Sequence, residues 1–190
     1  LMIAILDECG LALEKDRMSR AKQKMEEAAK QGVALDFEKL HEDCARLILE
    51  KEERDGLPVK PGVHEILEYL YERKIPVALA TSSKKDIVLS HLEKTGITKY
   101  FRKIVTGDMV SHGKPAPDIY IKACEELEAA PENVIAIEDS FNGIRSASAA
   151  GLHPIMVPDQ LQPTEEILLL AETKCDSLLE VRKLLQEKYL

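Results

Sequence analysis

The sequence of 190 residues contains no tryptophan, is 4% aromatic, and holds no apolar run near the ~18 residues that crossing a bilayer requires. Its first residues lack the basic segment and long apolar stretch of a secretory leader, so neither a membrane nor an exported role is expected. Cysteine is scarce. Cys9, Cys44, Cys124 and Cys175 lie far apart without CxxC spacing, which speaks against disulfides or a thiolate zinc site. Reduced thiols in small core or surface positions of a cytoplasmic protein are expected instead. Basic charge is lacking too: 34 acidic residues face 26 basic ones, the net charge is −8, and no basic cluster is interleaved with aromatics. The electrostatic footprint of a nucleic-acid binder is therefore missing, and a small anionic ligand would need locally placed lysines. Tandem repeats, low-complexity segments and a long heptad seam are also absent, and the oligomeric state stays open.

What is present divides at about residue 58. Residues 1–58 carry helical signals, with Leu40, Cys44, Leu47 and Ile48 at helical spacing and Met18 to Lys30 rich in Ala, Lys, Glu, Gln and Arg. Gly10 and Gly32 read as helix stops, and Asp55-Gly56-Leu57-Pro58 closes the unit. Residues 59–190 alternate helical faces with short apolar runs. Strands are expected at Pro76 to Ala80, Lys103 to Thr106, Val134 to Ile137 and Pro154 to Val157. Helices are expected between them, and two more from Thr164 to Leu190, parted near Cys175 and Asp176. Such repetition predicts an α/β fold, a doubly wound parallel, Rossmann-like sheet beside a helical unit.

Three short motifs fall where strands of that sheet would end. Glu138 and Asp139 follow the buried-strand run VIAI; two adjacent carboxylates repel, and hard oxygens suit Mg²⁺. Asp139 or Ser140 could equally cap the next helix. Thr81, Ser82 and Ser83 follow PVALA and offer hydroxyls and N–H groups suited to an oxyanion, or again to a helix cap. Lys114, in GKPAPD, sits between a glycine and a proline, so its ammonium is aimed by a stiff segment; Asp118 reads as the cap of the following helix. Hydroxyl donors, an ammonium and paired carboxylates on one edge fit Mg²⁺-assisted phosphoryl transfer.

The stretches LATSS, GKPAPDIY and IEDSFNGIRSA, 33 and then 24 residues apart when measured from Thr81 to Lys114 to Glu138, resemble the haloacid dehalogenase superfamily. The resemblance is to its β-phosphoglucomutase-like phosphatases and mutases with a helical cap, and VKPG from Val59 resembles that family's return from cap to core. It implies a cap over residues 1–58 and a core over 59–190. It further implies Thr81 and Ser82 binding phosphoryl oxygens, Lys114 steadying the phosphoryl group, and Glu138 and Asp139 holding Mg²⁺. The substrate would be a small phosphorylated metabolite such as a sugar phosphate, attacked by an aspartate of a DxDG motif.

That motif is not cleanly present. One reading takes Ile3 to Leu6 as the strand and Asp7-Glu8-Cys9-Gly10 as a degenerate DxDG, with Asp7 as nucleophile and Cys9 in place of the general acid. The other takes residues 1–13 as the end of a cap helix, with the nucleophile on chain preceding Leu1. The 74 residues from Asp7 to Thr81 leave little room for a full cap, which favours the second reading. The discriminator is the conformation of Ile3 to Leu6. Among helical residues, His41, Arg46, Lys51 and Arg54 are conceivable substrate contacts but read more simply as solvated charges.

Overall fold

A computed structural model describes the backbone of residues 3–6, positions 39, 43, 46, 47, 50, 53 and 54, and residues 56, 57 and 59–188 except 160. The chain forms two compact units, residues 1–9 with 60–190, and residues 10–59. In the second unit the described positions from 39 to 54 are helical, as the spacing predicts. Arg46 there pairs along its own helix with Asp43 and Glu50, all three well exposed. Arg54 is exposed as well, and His41 and Lys51 lie outside the described residues.

The first unit is a six-stranded parallel sheet in the order β3-β2-β1-β4-β5-β6. Its strands are β1 (Ile3–Leu6), β2 (Val77–Ala80), β3 (Lys103–Val105), β4 (Val134–Glu138), β5 (His153–Met156) and β6 (Thr173–Lys174). The helices are α1 (Val63–Glu72), α2 (Lys85–Thr95), α3 (Asp118–Leu127), α4 (Phe141–Ala149), α5 (Glu165–Leu170) and α6 (Leu178–Lys188). Every residue of β2 and β4 is buried, which is why both read as continuous apolar runs rather than alternating ones. Ala78, Ala80 and Ala136 are small enough for Ile119, Tyr120, Ala123 and Leu127 of α3 to close against the sheet in one core cluster. A smaller cluster joins Ile144 of α4 to Met156 and Ile167. The helix stop at Gly96 has φ 69°, a left-handed value natural to glycine.

Two elements differ from expectation. Ile3–Leu6 is a strand, paired in parallel with β2 on one side and β4 on the other, and not part of a helix, and residues 1–9 group with the sheet-bearing unit. The slot explains the choice, since two buried strands would each present an open hydrogen-bonding edge without a partner between them. The second is β6. Between the two expected tail helices, Thr173 and Lys174 pair with Ile155 and Met156, a two-residue edge strand too short to leave a pattern.

The strand order reverses direction between β1 and β4. In an open α/β sheet, the crevice at the carboxyl ends of the strands flanking such a switch is where ligands bind. Glu138 is the last residue of β4.

Candidate active site

The turn from β4 into α4 fixes Glu138. Ser140, in extended backbone, is the N-cap of α4: its Oγ accepts from the Gly143 N–H at 3.0 Å and donates to Glu138 Oε2 at 3.0 Å. The Ser140 N–H reaches the same oxygen at 3.3 Å. The carboxylate sits so close beneath the first turn of α4 that a Cβ on residue 143 would stand 1.9 Å from its Cδ, so Gly143 is there for want of space. Oε1 accepts from Lys114 Nζ at 2.6 Å and from the Tyr120 hydroxyl. Glu138 is 1% exposed and the Lys114 side chain 5%. A carboxylate is held at such depth because the opposite charge lies against it and both oxygens are hydrogen-bonded.

Lys114 belongs to the segment leading into α3, and its peptide bond to Pro115 is cis. Besides Glu138, the ammonium donates to the Ala80 carbonyl at 3.2 Å and to the Tyr120 hydroxyl at 3.4 Å, so one side chain ties the end of β2 to the end of β4. Ser146 of α4, fully buried, donates to the Ala116 carbonyl at 2.6 Å and anchors the same segment. Asp118 does not cap α3. Pro117 takes the cap position, and the Asp118 carboxylate accepts from the His112 N–H at 3.3 Å and meets its Nδ1 at 2.8 Å. The bond to His112 holds that carboxyl below the usual carboxylate range.

Thr81 follows directly on Ala80 and is fully buried. Its N–H donates to the Val105 carbonyl at 2.9 Å, and its Oγ1 accepts from the Ser83 N–H at 3.1 Å, closing a tight turn. The N-cap of α2 is Lys84, so none of Thr81, Ser82 and Ser83 caps that helix. The turn is pressed against β3's exit, where a Cβ on Gly107 would stand 2.4 Å from the Ser82 carbonyl oxygen.

Asp139 points to a different partner. Its Oδ2 lies 2.5 Å from Lys60 Nζ, and the same ammonium is 3.5 Å from Asp159 Oδ2 in the loop after β5. Burial pushes the Asp139 carboxyl above its ordinary range; Lys60 opposes that shift, while Glu138 and Asp159 add to it. Ser140, not Asp139, took the capping role, which leaves the Asp139 carboxylate at the sheet edge. Among the described residues no three or more His, Cys, Asp or Glu side chains converge as a ready metal site.

The profile of the haloacid dehalogenase-like hydrolases matches residues 8–157 of this chain. The chain belongs to that family. It is 38% identical over 117 residues to a phosphorylated carbohydrates phosphatase of Thermotoga maritima, a match covering 62% of this chain and 52% of that protein. Over 129 residues it is 34% identical to a bifunctional riboflavin kinase/FMN phosphatase of Arabidopsis thaliana, covering 67% of this chain and 34% of that one. The crystal structure of CbbY from Rhodobacter sphaeroides in complex with xylulose-(1,5)-bisphosphate is 27% identical and superposes with a TM-score of 0.69 over 94% of this chain and 95% of that one. The chain spans about half the length of the Thermotoga relative and a third of the Arabidopsis one.

Within this haloacid dehalogenase-like fold, Lys114 and Glu138 are in contact, Asp139 is the next residue, and Thr81 adjoins the carbonyl that Lys114 holds. Asp7 and Cys9 lie outside the described residues. Sequence reasoning did not single out Tyr120, the double role of Ser140, or Lys60. Tyr120 left a signal: it is the one tyrosine in an otherwise aliphatic buried face of α3, six residues past Lys114, and a buried tyrosine hydroxyl needs a partner.

Proposed function

We propose that this chain carries the phosphate-binding and metal-binding part of a Mg²⁺-dependent phosphoryl-transfer site that hydrolyses small phosphorylated metabolites, sugar phosphates above all. The observation that carries the reading is the buried Lys114–Glu138 pair at the carboxyl edge of the sheet, with Asp139 and Thr81 beside it. The names of the relatives, phosphatases of phosphorylated carbohydrates and of FMN among them, support the substrate class.

Thr81 and the Ser82 backbone would bind phosphoryl oxygens, and Lys114, held in place by Glu138 and Tyr120, would offset charge developing on them. Asp139 fits Mg²⁺: it is a hard oxygen donor in a locally over-negative setting, and the Lys60 ammonium against it demonstrates that positive charge is accommodated there. Glu138, with both oxygens engaged, would act on the metal through water or through its neighbours. Bound there, Mg²⁺ would supply charge neutralisation of the phosphoryl oxygens. The attacking group would be an aspartate carboxylate. Its oxygen would bond to phosphorus as the P–O bond to the alcohol breaks, and water would then release inorganic phosphate from the aspartyl phosphate. Asp7, next in the chain after β1, is the residue to test. The helical unit, residues 10–59, would serve as the cap that excludes water and selects the substrate.

A second reading is binding without turnover, favoured by Cys9 standing where a general acid would be, since a thiol is poorly matched to that task. The deciding experiment measures inorganic phosphate released from a panel of sugar phosphates with and without Mg²⁺, using the chain and its Asp7→Asn variant. Mg²⁺-dependent release lost in Asp7→Asn supports hydrolysis. Phosphate and Mg²⁺ binding with no release supports the second reading. A positional isomer of the sugar phosphate in place of free phosphate, seen by ³¹P NMR, would identify a mutase.

A further inference from the structure

Lys60 begins the second segment of the larger unit, and its ammonium stands 2.5 Å from Asp139 and 3.5 Å from Asp159. We infer that Lys60 is an internal cation that competes with the metal for Asp139, and that Asp159 is the acceptor to which it retires when the metal binds. The inference rests on reading Asp139 as a metal ligand. Its grounds are geometric. Lys114, a second ammonium at this edge, holds Glu138, Ala80 and Tyr120, whereas Asp139 is held by Lys60.

The two aspartates flank one flexible side chain, and a shift of about an ångström changes which of them holds it closer. The Lys60 and Asp139 side chains are 26% and 20% exposed, so the pair is screened enough to open and dry enough to matter. A cation entering beside Asp139 meets the repulsion of an ammonium that has somewhere to go. Lys60 therefore acts as a positioning residue that sets how tightly, and over what Mg²⁺ range, the site loads.

The test is Mg²⁺ binding to the full chain by isothermal titration calorimetry, with Mg²⁺-dependent thermal shift as a second readout, for wild type, Lys60→Met, Asp159→Asn and the double variant. Lys60→Met is expected to tighten Mg²⁺ binding about three- to ten-fold, the scale of a partly screened ion pair that no longer has to open. Asp159→Asn is expected to weaken it about two- to three-fold in the wild-type background and by clearly less once Lys60 is absent, because the retired ammonium then needs no acceptor. Unchanged or weaker binding in Lys60→Met overturns the inference, as does an Asp159→Asn effect of equal size in both backgrounds. If neither wild type nor Lys60→Met binds Mg²⁺, the reading of Asp139 falls and takes this inference with it; binding by wild type that Lys60→Met leaves unaltered overturns this inference alone. Should Lys60→Met not fold, Lys60→Gln carries the same expectation, and Lys60→Arg, which keeps the charge, is expected to stay near wild type.

Discussion

Replacing Lys114 by methionine keeps the volume and removes the charge, leaving the Glu138 carboxyl at 1% exposure without that ammonium, with the Tyr120 hydroxyl and Ser140 among the partners it keeps. Stripping one member from a buried ion pair costs about 3–5 kcal/mol; the surviving hydrogen bonds put this case near the lower end, about 3 kcal/mol. Glu138→Gln strands the Lys114 ammonium against the Ala80 carbonyl and Tyr120 and is expected to cost a similar amount. In the double variant no charge is buried, so the combined loss should fall short of the sum of the single losses by at least about 2 kcal/mol. Urea unfolding followed by far-UV circular dichroism at pH 7 is the suitable assay, since the chain has no tryptophan to report. Each single variant should melt roughly 6–12 °C lower than wild type. Additivity within about 0.5 kcal/mol, with unchanged m-values, would refute the claim that these two groups are held by each other.

Three further outcomes are expected. Gly143→Ala drives a methyl into the Glu138 carboxylate and should destabilise by about 1–3 kcal/mol or abolish soluble expression, whereas Gly96→Ala, with open space around its Cβ, should show a smaller loss from its left-handed backbone alone; thermal melting compares them. Burial raises the thiols of Cys124 and Cys175 from 9.0 to about 11, so the folded chain holds protons that the unfolded chain releases first. Stability should therefore be intact below pH 9 and fall between about 9 and 11, and both thiols should resist alkylation at pH 8 until the chain is denatured. If the chain releases phosphate from sugar phosphates, EDTA should stop it and excess Mg²⁺ restore it, while Ca²⁺, larger and less exacting in geometry, should not; a coupled phosphate assay decides.

The parallel core was legible because its strands are buried on both faces and so appear as unbroken apolar runs such as VALA and VIAI, bounded by glycine or proline. The edge carrying Thr81, Lys114, Glu138 and Asp139 followed from that, since each motif comes just after a strand or in a loop on that side. Other features are set by space and not by local pattern. β6 is two residues long and exists because β5 has a free edge. Ile3–Leu6 is compatible with helix or strand on its own, and the gap between β2 and β4 decides it. Lys60 and Asp139 are 79 residues apart in the chain, and no spacing rule pairs them; the partner of the Tyr120 hydroxyl, Glu138, lies 18 residues further on and is met only when β4 packs beside α3.

An ammonium has three hydrogens, and the acceptors Lys114 already faces include the Glu138 carboxylate, the Ala80 carbonyl and the Tyr120 hydroxyl. An oxyanion that draws on this lysine therefore swaps for a bond the protein has made, and the longer ones, to Tyr120 at 3.4 Å and Ala80 at 3.2 Å, are the first to yield. Release of the Ala80 carbonyl alters the peptide unit whose nitrogen belongs to Thr81, so the Thr81 amide resonance becomes a natural reporter of ligand arrival. Because exchange leaves the number of bonds unchanged, the lysine contributes selectivity for where an oxygen sits more than raw affinity for having one.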